Sequence, residues 1–355
     1  MTVLQESFLQ LVRLGIGTSK DTAISKDIDW AGLKALADEQ GLSAVVLDGL
    51  DSLNTNALPL QLKLEWIGEV LQGEQTYKLQ HEVAQDMGNL FHNNAIRTYV
   101  LKGDVIAECY PKPNHRVSVD IDCYLLPDKG KFDAWSLGND LIRTKHFDVK
   151  ADFYKNSTFD ISGVVVENHL FLTPFRGNGW LKALEKVLQT MLLADQGDDI
   201  FEETWLFRPP VMVSALFLIE HAYSHFLHEG LTWRMMLDWV MFKKKHENEI
   251  NWGDFEAYID EFGFRKFYNS YNRLGGLLVG ELTADGLQLT DKKMLKDIWA
   301  LLDVHETVRG FKGKLALAGN TWRARWKYRY FTDMNWMKAL WIQFKGFMFE
   351  KHPTL

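Results

Sequence analysis

Asp120 and Asp122 flank Ile121 in the stretch SVDIDCYLL, residues 118–126, which otherwise reads as a β-strand. Aspartate is a poor strand former, because its short side chain competes for nearby backbone groups. At i and i+2 of a strand, two of them point to the same face. Carboxylates held side by side repel, and a bound cation is the natural compensation. The chemistry this pattern suits is a divalent metal, Mg²⁺ or Mn²⁺, held against the phosphates of a nucleotide.

The surrounding residues extend that reading. Gly103 ends a short apolar run, TYVLKG, where a tight turn lets backbone approach a phosphate, and the amides opening the next helix favour an anion. Lys102 stands as a phosphate contact. Arg116, four residues before Asp120, shares its face if the strand begins early enough. Asp104, directly after the glycine, repels a phosphate unless it caps the following helix or faces the metal. A third carboxylate would complete a metal site with Asp120 and Asp122 and help accept a proton. Glu167 is preferred because it shares a strand face with His169 in VVVENHLFL; Asp152 and then Asp160 follow, both nearer strand ends or turns.

The elements that must position these residues are legible from periodicity. The first ninety residues read as helical: Asp29 suits an N-cap before Leu33, Leu36 and Ala37, with Gly41 as a stop. Two further helical runs are expected, one after Pro59 and one from about Glu74 to Asn94. From Thr98 the period shortens. TYVLKG, SVDIDCYLL and FDVKADFY read as strands, a helix is expected near Asp104 to Tyr110, and FDISGVVVENHLFL reads as a hairpin turning at Ser162 and Gly163. Beyond Pro174 the pattern is helical again, with TPFRGNGW as a linker. The expected fold is α+β: an N-terminal helical region over 1–95, a small mixed-sheet core over 96–175 and a C-terminal helical domain over 176–355.

Here a resemblance carries weight. Leu101-Lys102-Gly103, Tyr110-Pro111, Arg116, the Asp120-Ile121-Asp122 strand and the Glu167-x-His169 ending resemble an uncharacterised nucleotidyltransferase family of bacterial proteins within the polymerase-beta-like superfamily. WAGLKALADEQGLSAVVLDGL and LIEHAYSHFLHEGLTWRMMLDWVMF are similar to the family's flanking helical regions. The resemblance implies a nucleotidyltransferase core that uses Mg²⁺ or Mn²⁺ and an NTP. Asp120, Asp122 and Glu167 would be its catalytic, metal-holding acids, and Lys102, Gly103, Asp104, Arg116 and His169 its nucleotide-side residues. The acceptor hydroxyl stays unidentified. Many members of the superfamily carry Gly-Gly or Gly-Ser where this chain has Gly103-Asp104, which favours an alternative: an inactive binding or interaction protein on the same fold.

Composition sets outer limits. The net charge of -7 and pI near 5.9 argue against nucleic-acid binding by the chain as a whole. Two cysteines, Cys109 and Cys123, are too few for a disulfide framework, and the N-terminus lacks the pattern of a secretory signal, so a cytoplasmic setting is expected. His221 and His225 share a helical face, but without the Glu of a metalloprotease motif they suit packing better than zinc. Arg234 and Asp238, at i and i+4, suit a pair within one helix, or the border of a substrate cleft. The tail from Arg309 to Lys351 carries ten basic residues against two acidic ones, together with Trp322, Trp326, Trp336 and Trp341. Core packing explains it first. A peripheral membrane contact is the second reading, and single-stranded nucleic acid or another partner the third.

Overall fold

The computed structural model describes residues 1–53, 58–151, 155–175, 178–195, 197–199, 204–300, 324–330, 336–338 and 340–342. The chain opens with helices α1 (Val3–Gly15), α2 (Trp30–Glu39), α3 (Ser43–Asp51) and α4 (Leu60–His92). Strand β1 (Ile96–Val100), the short helix α5 (Asp104–Ala107), a 3-10 turn (Pro113–His115) and strand β2 (Asp120–Pro127) follow. Helix α6 (Ala134–Thr144) leads into β3 (Lys150–Ala151), β4 (Asn156–Ile161) and β5 (Val164–His169). Helix α7 (Gly179–Ala194), β6 (Asp198–Asp199) and β7 (Leu206–Arg208) close the sheet. Helices α8 (Val211–His228), α9 (Trp233–Lys245), α10 (Trp252–Glu261), α11 (Arg265–Val279) and α12 (Leu289–Trp299) complete the series, with a 3-10 turn at Ala324–Tyr330. The fold is α+β, with helices toward both termini.

The periodicity after Pro59 suggests two helices, but α4 is a single helix of 33 residues running through Gly73. One interior glycine costs only about 1 kcal/mol relative to alanine, so it weakens a helix without ending it. Asp29 caps α2 as its sequence implies, its Oδ1 accepting from the Gly32 amide at 3.0 Å.

The residues divide into two compact units. One draws on 1–70, 218–244 and 256–341, so helices from both ends of the chain build it together. Within it, the Arg13 guanidinium donates to the Leu277 and Leu278 carbonyls at the C-terminal end of α11, at 2.6 and 3.1 Å. Basic side chains suit that end, where carbonyls lack helical partners. The other unit draws on 71–217, 245–255 and Ile342, and it contains the whole sheet.

The sheet has the order β3-β4-β5-β2-β1-β7-β6. It is mixed: β2 pairs antiparallel with β1 and parallel with β5, while β4 and β5 form an antiparallel hairpin. That hairpin turns at Ser162 and Gly163, with φ of 56° and 86°, the two positive angles that a tight two-residue turn needs to match strand twist. Helix α6 covers one face. The Trp135 indole donates to the Asn168 carbonyl at 2.9 Å, and Asn139 Oδ1 accepts from Ser157 and Asn168 side chains. By alternation, Asp120, Asp122, Glu167 and His169 fall on the other face.

The exit of β5 is fixed by a buried acid. Glu185 of α7 is fully buried and accepts from the Leu172 and Thr173 amides at 3.1 and 2.7 Å and from Gln189 at 2.7 Å. Burial raises its pKa above the usual carboxylate range, partly offset by those hydrogen bonds. The folded state therefore holds this proton more tightly than the unfolded chain does. The stability it contributes is full below the ordinary value of about 4.3 and is lost as pH rises through the raised one. In urea unfolding between pH 5 and 8, wild type is expected to lose ground against Glu185→Gln as pH rises; a pH-independent difference between the two proteins would contradict this.

Candidate functional site

The register of β2 against β5 assembles the centre of the site. Asp120 lies beside Val165, Asp122 beside Glu167 and Tyr124 beside His169. The parallel pairing thus turns two sequence-distant motifs, D-x-D and E-x-H, into one row on one face. Asp122 Oδ1 accepts from His169 Nε2 at 2.9 Å, and Asp122 Oδ2 lies 2.9 Å from the Lys102 ammonium. Asp122 is only 2% exposed, so the Lys102 charge and the His169 hydrogen bond together offset the cost of burying it. Glu167 Oε2 lies 3.7 Å from His169 Nε2, accepts from the Asn156 side chain at 2.6 Å and has Lys155 at 4.0 Å.

One ligand atom from each of Asp122, Glu167 and His169 falls within 4.8 Å of the others. Two carboxylates and an imidazole at that spacing form a donor set that suits a divalent cation, the carboxylates favouring Mg²⁺ and the imidazole extending the choice to Mn²⁺. Asp120 is not part of this cluster. It sits two residues along on the same face and lines a small adjacent pocket with Gly103, Asp104, Arg116, Tyr77 and Gln80.

The β1–β2 connection is held from α4. The side chains of Asn114 and His115 lie 2.8 and 2.9 Å from Glu74 Oε1, and Gln80 donates to the Ser118 carbonyl at 3.0 Å. Asp104, expected to threaten a bound phosphate, is buried and turned toward α4: its Oδ2 lies 3.5 Å from His81 Nδ1, and it accepts a hydrogen bond from the Tyr77 hydroxyl. Desolvation, followed by the charges of Asp104 and Glu108, pushes the Tyr77 hydroxyl up to about 12, so it remains a donor at neutral pH. Tyr77, Gln80 and His81 were not singled out by sequence reasoning. Their signal was the i, i+3, i+7 spacing of Glu74, Tyr77 and His81, which marks one helical face.

Two sequence expectations change. Arg116 does not reach Asp120 by strand alternation, because β2 begins only at Asp120 and Arg116 ends the 3-10 turn. It is buried and joins Asp120 through the pocket instead. The helix after Gly103 is one turn long, Asp104–Ala107, too short for the dipole of a full helix to hold an anion. Of the alternative third acids, Asp160 accepts from the Gly163 amide at 2.8 Å and so serves the hairpin turn, and Asp152 lies outside the described residues.

With the geometry in place, comparison with known families is decisive on one point. An uncharacterised nucleotidyltransferase family matches residues 26–280. The chain belongs to this family. Comparison with curated proteins and with solved structures gave no significant match. The membership supports nucleotidyl transfer as the general function and an NTP as substrate.

His225 Nδ1 pairs with Glu229 at 2.9 Å and its ring packs edge-on to His221, the packing role that the missing Glu suggested. Arg234 and Asp238 belong to the unit without the sheet, where the Arg234 side chain packs on Gly41. Cys109 and Cys123 are buried and are not joined in a disulfide. No helix among the described residues is long and apolar enough to cross a membrane. Most of Arg309–Lys351 lies outside the described residues; in the described turn, Tyr330 donates to the Thr290 carbonyl at 2.6 Å and Trp326 packs on Phe226.

Gly103 has φ 59° and ψ -118°, a region in which side-chain-bearing residues are strained. A Cβ there would meet nothing nearer than Val100 at 3.9 Å, so the demand for glycine is conformational and the space beside it is open. Gly103→Ala is expected to cost roughly 1–2 kcal/mol of stability, read by denaturant unfolding; an unchanged midpoint would show that the turn relaxes freely.

Proposed function

We propose that this face catalyses metal-assisted transfer of a nucleoside monophosphate from an NTP to an acceptor hydroxyl, as a polymerase-beta-like nucleotidyltransferase. The observation that carries the reading is the β2–β5 register, which sets Asp122 beside Glu167, with Asp120 along the same face and His169 against Asp122. The acceptor oxygen bonds to the α-phosphorus while the bond to the β-phosphate bridge oxygen breaks, and pyrophosphate leaves. Glu167, the more exposed of the paired acids, is placed to take the acceptor's proton. Lys102 and Arg116 supply positive charge against the triphosphate, and Gly103 gives its backbone room beside them.

Asp122 and Glu167, with Asp120 or His169, are the residues that would hold Mg²⁺ or Mn²⁺. When bound, such an ion would polarise the phosphoryl oxygens and neutralise charge developing on them. His169 positions Asp122 by its hydrogen bond and fixes which oxygens face the open side.

A second reading rests on a specific contact. Lys102 and His169 already occupy both oxygens of a buried Asp122, an arrangement that also suits a protein which binds nucleotide without turning it over. Transfer assays with each NTP in Mg²⁺ or Mn²⁺, paired with thermal unfolding, separate the two. Asp122→Asn is expected to lower transfer by at least about 100-fold, the scale of removing one preorganised electrostatic group, and to abolish the metal-dependent part of the thermal shift. Wild-type rates in that variant would remove the proposed role of Asp122; stabilisation by NTP with no transfer to any acceptor would favour the binding protein.

A further inference from the structure

A second cavity lies wholly in the unit that lacks the sheet. Its volume is about 460 Å³, within the range of small-molecule sites, and it is walled by one face each of α11, the start of α12 and the 3-10 turn at Ala324–Tyr330. Lys266, Ser270 and Arg273 recur at i, i+4 and i+7 of α11 and so share a stripe. Trp326 and Arg329, three apart in a 3-10 turn, lie on one edge. Lys293, in the second turn of α12, completes the wall and places its ammonium 5.3 Å from the centre of the Trp326 ring.

Four cations therefore line the cavity, and among the described residues no carboxylate lines it with them. Arg273 is neutralised by a bidentate pair with the fully buried Asp291, at 2.7 and 2.8 Å, and this contact fixes its guanidinium in the wall. Lys266, Lys293 and Arg329 make no ion pair among the described residues, and all three are exposed. Like charges gathered around a concavity repel, and the surplus is unusual in a chain whose net charge is -7. The 3-10 turn is anchored independently of any ligand: Lys327 pairs with Asp297 at 2.6 Å and Tyr330 donates to the Thr290 carbonyl. The start of α12 borders the same space through Gln288, Leu289 and Thr290, and its own amides are capped by the Gln288 and Asp291 side chains.

We propose that this cavity binds a small anion carrying two or more phosphate groups, with Lys266, Lys293 and Arg329 as its charge partners and Arg273 as a fixed guanidinium. A monoanion would leave most of the surplus charge in place, whereas a charge near -3 matches the three unpaired cations. The cavity wall from Gln288 onward lies beyond residues 26–280, the segment the family matches, whereas its α11 wall lies within that segment. The inference is independent of the chemistry on the sheet, because no residue is shared between the two.

Calorimetric titration of the full chain with pyrophosphate and tripolyphosphate, in EDTA so that no divalent cation is present, tests it. Wild type and Asp122→Asn are expected to bind tripolyphosphate alike, with affinity falling as salt is raised. The double variant Lys293→Glu/Arg329→Glu is expected to lose at least tenfold in affinity with an unchanged Tm, and Lys266→Glu, on a different helix, to weaken binding in the same direction. No binding at millimolar tripolyphosphate, full affinity in the charge-reversed variants, or loss in Asp122→Asn alone would each overturn the proposal. So would binding confined to single-stranded oligonucleotide or to vesicles with phosphorylated headgroups, run in parallel, because that would assign the basic surface to a macromolecule.

Discussion

A carboxylate as deeply buried as Asp122 must be neutralised, and the way this is done organises the unit around the sheet. Removing such a charge from water costs several kcal/mol unless partners replace the lost hydration. Lys102 arrives from the turn after β1 and His169 from the end of β5, the two strands that flank β2. One side chain thus ties three adjacent strands together, and its contacts help locate the turn, the acids and the histidine relative to one another. The same requirement makes the site responsive: any cation or phosphate entering it competes with a contact that already exists.

Helix α4 supplies the complementary constraint. The connection between β1 and β2 contains only one turn of α-helix and one of 3-10, and it has little regular backbone hydrogen bonding of its own. Its position is set by Glu74, Tyr77, Gln80 and His81, which reach it from successive turns of α4. This accounts for Asp104. Beside a phosphate site an ionised aspartate is an electrostatic fault, but engaged by Tyr77 and His81 it becomes the means by which the turn is pulled onto the helix.

What the sequence disclosed follows from how local each signal is. Strand alternation paired Asp120 with Asp122 and Glu167 with His169, because side-chain direction in a strand depends on nothing beyond the strand, whereas their union on one face depends on the pairing of β2 with β5. The hairpin at Ser162 and Gly163 was legible for the same reason. Arg116 was misplaced because its approach depends on where β2 starts, and that is decided by a 3-10 turn whose proline, Pro113, also suits an extended loop. The break near Gly73 was expected because an isolated glycine weakens a helix, yet the packing of the rest of α4 outweighs a cost of that size. Tyr77 and His81 carried no chemical signature by themselves. Their importance arises from contacts across more than twenty residues, which periodicity cannot register.

The parallel pairing of β2 with β5 is the element on which the functional reading bears hardest, and its precision has a physical source. A slip of one residue would move Glu167 and His169 of β5 to the face covered by α6, where Trp135 and Asn139 are already bonded to Asn168. Those polar contacts on the covered face are satisfied only in the observed register, and the tight turn at Ser162 and Gly163 fixes β4 against β5 independently. The acids are therefore aligned by contacts on the covered face as well as by the partners that Asp122 and Glu167 engage themselves. A site whose geometry is held from both faces of the sheet can carry close carboxylates, mutually repulsive as they are, without relying on them alone for its folding.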